Sequence, residues 1–356
     1  LGDVYKRQVI QIQEPVSIDP TMRLVDRRER PLHDLRISIT DRCNFRCTYC
    51  MPREHFGPEH DFLHRDSLLT YEEITTVVRA LLPTGLRKVR LTGGEPLLRR
   101  DITALIGLIR EAGPNLDIAL TTNGSLLKRH AVNLREAGLN RVTVSLDAMD
   151  THVFQSMADT QQHSADDVME GIEHALAAGL GVKVNTVVQK NVNEEQIPKL
   201  ADACIQRGIP LRFIEYMDVG NTNAWVFDEV VSGKDIRGIL EQHYGPLLPE
   251  KPKHKGEVAR RYTTINGDEF GFIESVTNPF CGDCTRARLS AHGSLYTCLF
   301  SSKGHDLKGM LRMEANQAAI GLAIRSIWLR RDDRYSMDRA TTEKNLEKVE
   351  MSFIGG

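Results

Sequence analysis

The 356-residue chain sets 46 lysines and arginines against 48 aspartates and glutamates, a formal charge of −2. That balance excludes a general nucleic-acid-binding role, and no apolar stretch reaches the roughly 18 residues of a membrane-spanning helix. The length suits one large domain with an appended piece, or two ordinary domains.

Residues 1–30 contain no apolar signal-peptide core and begin at Leu1 without an initiating Met. They read as an N-terminal extension with little order. From there, alternating apolar and polar residues rich in β-branched side chains predict strands at 35–40, 88–92, 117–123, 141–147, 182–188 and 211–217. Helical periodicity fills the intervals at 71–82, 101–112, 126–137, 165–178 and 194–207. Gly113, Gly138, Gly179 and Gly208 each stand where a helix is expected to be capped. Strand–helix repetition of this kind builds a parallel sheet. Six units fall short of the eight of a closed (β/α)8 barrel. The prediction is therefore an α/β fold with an open, six-stranded partial TIM-like barrel over 31–217. Beyond 218 the pattern breaks into short strands at 270–273 and 286–290, turns such as Asn266-Gly267, and a helix at 314–330. This C-terminal α+β region, 218–356, ends in Gly355 and Gly356.

Alternation also orients the strands. Leu35, Ile37 and Ile39 oppose Arg36, Ser38 and Thr40; Val89 and Leu91 oppose Lys88, Arg90 and Thr92. Val142, Val144 and Leu146 oppose Thr143, Ser145 and Asp147, while Lys183 and Asn185 lie among valines. The apolar face suits the outer helices. The polar face then lines a lumen that an ordinary barrel fills with Val, Ile and Leu. A solvated polar face is the competing reading, against which stands the rule that parallel sheets are covered on both sides.

The seven cysteines form two groups of three, with Cys204 alone in a helical stretch. Cys43, Cys47 and Cys50 follow the first strand; Cys281 and Cys284 flank Gly282-Asp283 and are followed by Cys298. Grouped thiols in a chain of this size read as metal ligands kept reduced, not as a disulfide framework. Soft thiolates hold iron–sulfur clusters or zinc. Three ligands leave a cubane one open iron, whereas structural zinc wants a fourth, for which His292 and His305 lie near in sequence. Arg36, Arg90, Lys183, Arg286 and Arg288 point toward one cavity. A polyanion such as a nucleoside triphosphate would balance them, and so would internal pairing with Asp147 and Glu215. Thr92-Gly93-Gly94-Glu95-Pro96 ends the second strand with glycines that let the backbone approach a ligand. Trp225 and Trp328 read as packing residues.

The first cysteine run and the glycine loop together resemble the radical S-adenosylmethionine (SAM) superfamily. With Cys281, Cys284, Arg286, Arg288, Cys298 and the Gly355-Gly356 end, the resemblance narrows to the GTP 3′,8-cyclase family of molybdenum cofactor biosynthesis, over about residues 30–356. It implies two [4Fe–4S] clusters. Cys43, Cys47 and Cys50 would hold one, whose open iron chelates SAM; Cys281, Cys284 and Cys298 would hold the other, whose open iron binds the guanine of GTP. By the same resemblance Tyr49, Gly94, Ser145 and Met217 contact SAM. Arg36, Arg90, Thr121, Lys183 and the segment Arg286, Ala287 and Arg288 contact GTP, and Arg286, Arg288, Gly355 and Gly356 are catalytic. Ser294 stands where many relatives carry lysine. The implied lyase reaction cleaves SAM reductively, takes the 3′ hydrogen of the GTP ribose and closes the ribose onto carbon 8 of guanine. Implied partners are an electron-donor protein and a downstream cyclic pyranopterin monophosphate synthase, with a homodimer expected and a cytoplasmic or organelle-matrix location. Two alternatives stand beside it: another two-cluster radical SAM enzyme such as a peptide-modifying maturase, which carries more C-terminal cysteines, or a zinc-binding interaction module.

Overall fold

The computed structural model describes residues 23–339 and 347–355. Strands β1 (Asp34–Ser38), β2 (Lys88–Thr92), β3 (Asp117–Thr122), β4 (Arg141–Ser145), β5 (Gly181–Val188) and β6 (Leu211–Glu215) pair in parallel, each with the next. Between them run α1 (Tyr71–Leu81), α2 (Ile102–Ala112), α3 (Leu127–Glu136), α4 (Thr151–Ala158), α5 (Ala165–Ala177) and α6 (Ile197–Ile205). Local chemistry explains the starts. Thr70 and Glu73 form a reciprocal capping box on α1, and Ser164 and Asp167 do the same on α5. The helix predicted at 194–207 begins at Ile197, because Pro198 is tolerated only in a first turn. Among the described residues, two helices of eight or more residues have no counterpart in the sequence reading. One is α4, a short helix started by the Asp150 carboxylate on the His152 and Val153 amides. The other, α7 (Gly233–Tyr244), carries two internal glycines that obscure its periodicity.

The apolar faces of the strands are the core. Leu35, Ile37, Val89, Leu91, Val142, Val144 and Val184 are wholly buried in one cluster with the helix side chains. Each such side chain contributes about 1.5–3 kcal/mol relative to exposure.

The region after 218 does not form a sheet of its own, and here the structure extends the six-stranded prediction. The remaining strands are β7 (Leu248–Pro249), β8 (Arg260–Thr263), β9 (Glu269–Ile273), β10 (Arg286–Leu289), β11 (Ser294–Tyr296) and β12 (His305–Asp306). β9 adds in parallel beside β6, and β10 adds in parallel beside β1. Antiparallel strands continue both edges, giving the order β12-β11-β10-β1-β2-β3-β4-β5-β6-β9-β8-β7. Among the described residues the two ends do not pair, so the barrel is open. The sequence hides β9 and β10 as barrel strands because the glycines of α7, which lies between β6 and β9, obscure its periodicity, and no α-helix lies between β9 and β10.

The reading of 1–30 as loosely ordered is corrected for its last part. Leu24 and Arg30 are fully buried, and Val25 bridges to Pro31. Residues 1–22 lie outside the described residues.

Candidate functional site

Cys43, Cys47 and Cys50 lie on the loop leaving the C-terminal end of β1. The Cys47 carbonyl accepts the Cys50 and Met51 amides at 3.0 and 2.9 Å, which curls the loop back on itself. Burial, then the charge of Glu95, pushes the Cys43 thiol up to about 11. Burial and their fellow cysteines push Cys47 and Cys50 higher still. Such thiols do not ionise unaided; a bound metal centre displaces the proton.

The glycine loop after β2 crosses directly over this segment. Gly94 and Glu95 donate their amides to the Thr40 and Arg42 carbonyls, each at 2.8 Å. A Cβ at Gly93, whose φ is +142°, would strike the Thr40 carbonyl, and one at Gly94 would strike that of Arg42. Gly94→Ala is therefore expected to cost about 1–3 kcal/mol by overpacking and to weaken SAM binding; unchanged thermal stability would show that the crossing relaxes freely. Glu95 is fully buried, accepts from Leu97 N, Thr122 Oγ1 and Asn123 N at 2.8–2.9 Å, and is pushed up to about 7 by burial.

Ser145 ends β4 and Met217 follows β6, so both stand at the same C-terminal end of the sheet, where open α/β sheets place their ligands. Tyr49 is nearly buried and donates its hydroxyl to Asp147 Oδ2 at 2.7 Å; burial raises Asp147 to about 6. Asn185 pairs in register with Ser145, and its Oδ1 is buried without a hydrogen-bond partner. A bound ligand with a hydrogen-bond donor would satisfy that orphan.

Strand register assembles the cations. Arg288, Arg36 and Arg90 form one row across β10, β1 and β2; Thr121, Thr143 and Lys183 form another across β3, β4 and β5. Arg90 Nη1 donates to Thr121 Oγ1 and Thr143 Oγ1 at 2.8 and 3.0 Å. Arg212, beside Asn185 in register, joins the same face. Among the described residues none of Arg36, Arg90, Lys183, Arg212, Arg286 and Arg288 has a carboxylate within 4.0 Å. Asp147 and Glu215 do not pair with them. Asp147 takes Tyr49 and the Val187 amide, while Glu215 takes the Gly233, Val276 and Thr277 amides. Burial and mutual repulsion follow. Arg36 is lowered to about 9 by burial and then Arg286, and burial, Arg36 and Arg286 lower Arg288 further. Burial lowers Lys183 to about 8. The Nε atoms of Arg36 and Arg90 are buried without partners. Ala287 departs from the predicted set, since its methyl is wholly buried on the core face. Only its backbone remains for the lumen.

Cys281 lies in a short 3-10 turn, Cys281–Asp283, before β10. Burial would raise the Cys284 thiol, but Arg286 and Arg331 overcome it and bring the group down to about 6. Cys298 is pushed up to about 12 by burial, then by Asp333. Among the described residues no three His, Cys, Asp or Glu side chains gather around a point suited to a single metal ion. Of the two histidines that could complete a zinc site, His292 is held between Ser290 Oγ and Ser294 Oγ at 3.0 and 3.1 Å and packs at a tilt against Phe353, while His305 lies on β12. The tail closes over this end. Lys348 Nζ pairs with Asp218 at 2.8 Å, Glu350 accepts from Asn221 N and Thr222 Oγ1, and Arg288 Nη1 donates to the Gly355 carbonyl. Gly356 lies outside the described residues.

Residues 37–204 match the radical SAM superfamily and residues 209–337 match Molybdenum Cofactor Synthesis C. A GTP 3′,8-cyclase of Acidothermus cellulolyticus is 47% identical over 363 aligned positions, covering 94% of this chain and 100% of the relative. The chain belongs to the GTP 3′,8-cyclase family. A second relative of that name, from Staphylococcus epidermidis, is 45% identical over 336 positions, covering 93% of this chain and 98% of its own. Among solved structures, SuiB of Streptococcus suis bound to S-adenosylmethionine overlays with a TM-score of 0.58 at 16% identity, over 91% of this chain and 72% of that one. At that identity the likeness speaks for the fold alone. Membership makes this chain a radical SAM enzyme that uses an iron–sulfur cluster and SAM. The residues that sequence reasoning left without a role are Asn185, Arg212, Glu95 and Arg331. Strand parity marks Arg212 only weakly, and nothing local marks Arg331.

Proposed function

We propose that this chain converts GTP to (8S)-3′,8-cyclo-7,8-dihydroguanosine 5′-triphosphate, the first step of molybdenum cofactor biosynthesis, with a [4Fe–4S] cluster on each cysteine triad. The observation that carries this reading is the lumen, which collects six cationic side chains without a carboxylate partner among the described residues. A triphosphate supplies the missing charge, and guanidinium forks match its oxygens. A peptide substrate without acidic side chains would leave the same cations unbalanced.

Bound at the first triad, an iron–sulfur cluster and SAM supply the one-electron chemistry that removes hydrogen from the ribose. The chain supplies placement. Tyr49, Gly94, Ser145 and Met217 would hold SAM at the C-terminal strand ends, with Asn185 Oδ1 as a further acceptor. Arg36, Arg90, Thr121, Lys183 and Arg212 would hold the triphosphate, and Arg286 and Arg288 would bring the nucleotide against the second triad. The tail covers the site and keeps water from reactive species. An electron-donor protein would dock over the mouth of a cleft of about 290 Å³ that is lined by Cys43, Arg46, Arg53 and Phe56.

Iron analysis of anaerobically reconstituted protein is expected to give about eight irons per chain. The loaded protein should bind GTP at least tenfold more tightly than guanosine, with the difference shrinking at high salt. Four irons, or equal affinity for the two, would remove the two-cluster or the triphosphate part of the reading respectively. Gly355→Ala tests the tail. Gly355 adopts φ +75°, and a Cβ there would strike Thr92 Cγ2. Turnover should fall roughly tenfold or more, since small misplacements of a site are costly, with iron content unchanged; full turnover would detach the tail from the chemistry.

A further inference from the structure

A buried charge network backs the second cysteine triad and shares Cys284 Sγ with the lumen's Arg286, whose Nη2 donates to it at 3.3 Å. Asp26 and Arg30 have fully buried side chains and Arg331 nearly so. Asp26 Oδ2 takes Arg30 Nε at 2.6 Å and Arg331 Nη1 at 3.1 Å. From this shared carboxylate the two guanidiniums reach different cysteines. Arg30 Nη1 donates to the Cys281 carbonyl at 2.8 Å, while Arg331 Nη1 donates to the Cys284 carbonyl at 2.8 Å. Arg331 Nη2 donates to Cys284 Sγ itself at 3.2 Å. Arg331 Nε holds the carbonyl of Thr297, the residue before Cys298, at 3.1 Å. One arginine thus touches the chain at two of the three cysteines, and its partner touches the third.

The network is built to stay in place. Trp328, fully buried, lies under the Arg331 guanidinium at 4.5 Å and donates its Nε1 to the Arg30 carbonyl at 2.9 Å. Two arginines share Asp26, Arg331 also reaches Asp333 at 3.4 Å, and Arg30 Nη2 is buried without a partner. Burying arginines is costly unless opposite charge is near. The thiolates and sulfides of a bound cluster are such charge.

At the first triad Arg46 Nη1 donates to the Cys43 carbonyl at 2.8 Å, but among the described residues no charged side chain hydrogen-bonds a sulfur there: the sulfur contacts are neutral, the Phe45 amide at 3.4 Å and Asn123 Nδ2 at 3.9 Å on Cys43. Hydrogen bonds to cluster sulfur and nearby positive charge favour the reduced, more negative cluster and so raise its reduction potential. We propose that Arg331, braced by Asp26 and Arg30, is a positioning residue that holds Cys284 for ligation and sets the second cluster at a higher reduction potential than the first. This rests on the two-cluster reading above.

The test is a redox titration of the anaerobically reconstituted holoenzyme, followed by electron paramagnetic resonance that resolves the two clusters, with iron content measured in parallel. The wild type should show two midpoints, the higher one responding to GTP. Arg331→Gln, which removes the charge, should move that midpoint to a more negative value and leave the other unmoved. Arg331→Lys keeps the charge opposite Asp26 but loses the fork, so its shift should be smaller and in the same direction. The unmoved first-cluster signal reports an intact fold; where the glutamine variant loses it, the lysine variant carries the comparison. An unchanged second midpoint, or lower iron occupancy with the remaining second clusters titrating as wild type, would reduce the network to a structural brace and overturn the proposal. A wild type holding a single cluster would overturn the two-cluster reading, and this proposal with it.

Discussion

Cys47→Ala is expected to abolish formation of 5′-deoxyadenosine and methionine from SAM, while roughly half of the iron stays on the protein. Cys47 is the middle ligand of the first triad, and burial with the charges of Cys43, Cys50 and Asp147 pushes its thiol far above the ordinary range. Alanine is smaller and apolar and retains the Cys47 carbonyl that accepts the Cys50 and Met51 amides, so the loop should keep its path. The second triad lies about 230 residues further along the chain and on β10's approach, with its own arginine contacts, and about four irons should remain there. Mass spectrometry of the reaction and iron analysis of the variant decide the matter. SAM cleavage at a tenth of the wild-type rate or more would show that Cys47 does not ligate.

Arg36→Met should act in opposite directions on the free and the substrate-bound protein. Its guanidinium stands between Arg288 and Arg90 in register, with Nε buried and unpartnered. Burial, then Arg286, lowers its proton affinity to about 9. A cation whose folded pKa is depressed opposes folding at every pH below its unfolded value, so removing it should raise the melting temperature of the ligand-free protein. With GTP the sign reverses. A hydrogen bond to a charged partner contributes about 1.5–3 kcal/mol, so GTP affinity should fall roughly 10- to 100-fold. Calorimetry and thermal melts with and without GTP test both halves. A variant that is less stable without ligand would mean that Arg36 is paired within the protein, the competing account of these cations.

The barrel was legible because parallel strands alternate with capped helices, and because each strand of 31–217 carries its own parity of apolar and polar residues. Arg36, Arg90 and Lys183 could be turned toward the lumen from that parity alone. Arg212 could not be so easily, because Glu215 shares parity with Leu211 and Phe213 and blurs the pattern. The structure resolves the conflict: Glu215 is buried on that side, accepting three backbone amides and so satisfying its charge locally. β9 and β10 join the sheet through pairings with strands far away in sequence, and no local signal encodes which edge they extend. The same distance hides the second-triad brace, where Asp26 and Arg331 meet across 305 positions. Ala287 shows the converse limit. A family motif names three consecutive residues, yet strand alternation sends the middle side chain into the core.

The central claim is that one cavity couples SAM cleavage to GTP. Anaerobically reconstituted protein, given reductant and SAM with or without GTP, should form 5′-deoxyadenosine and an isomer of GTP together, and only when GTP is present. SAM cleavage that proceeds equally without GTP, or cleavage with GTP that yields no isomer, would contradict it.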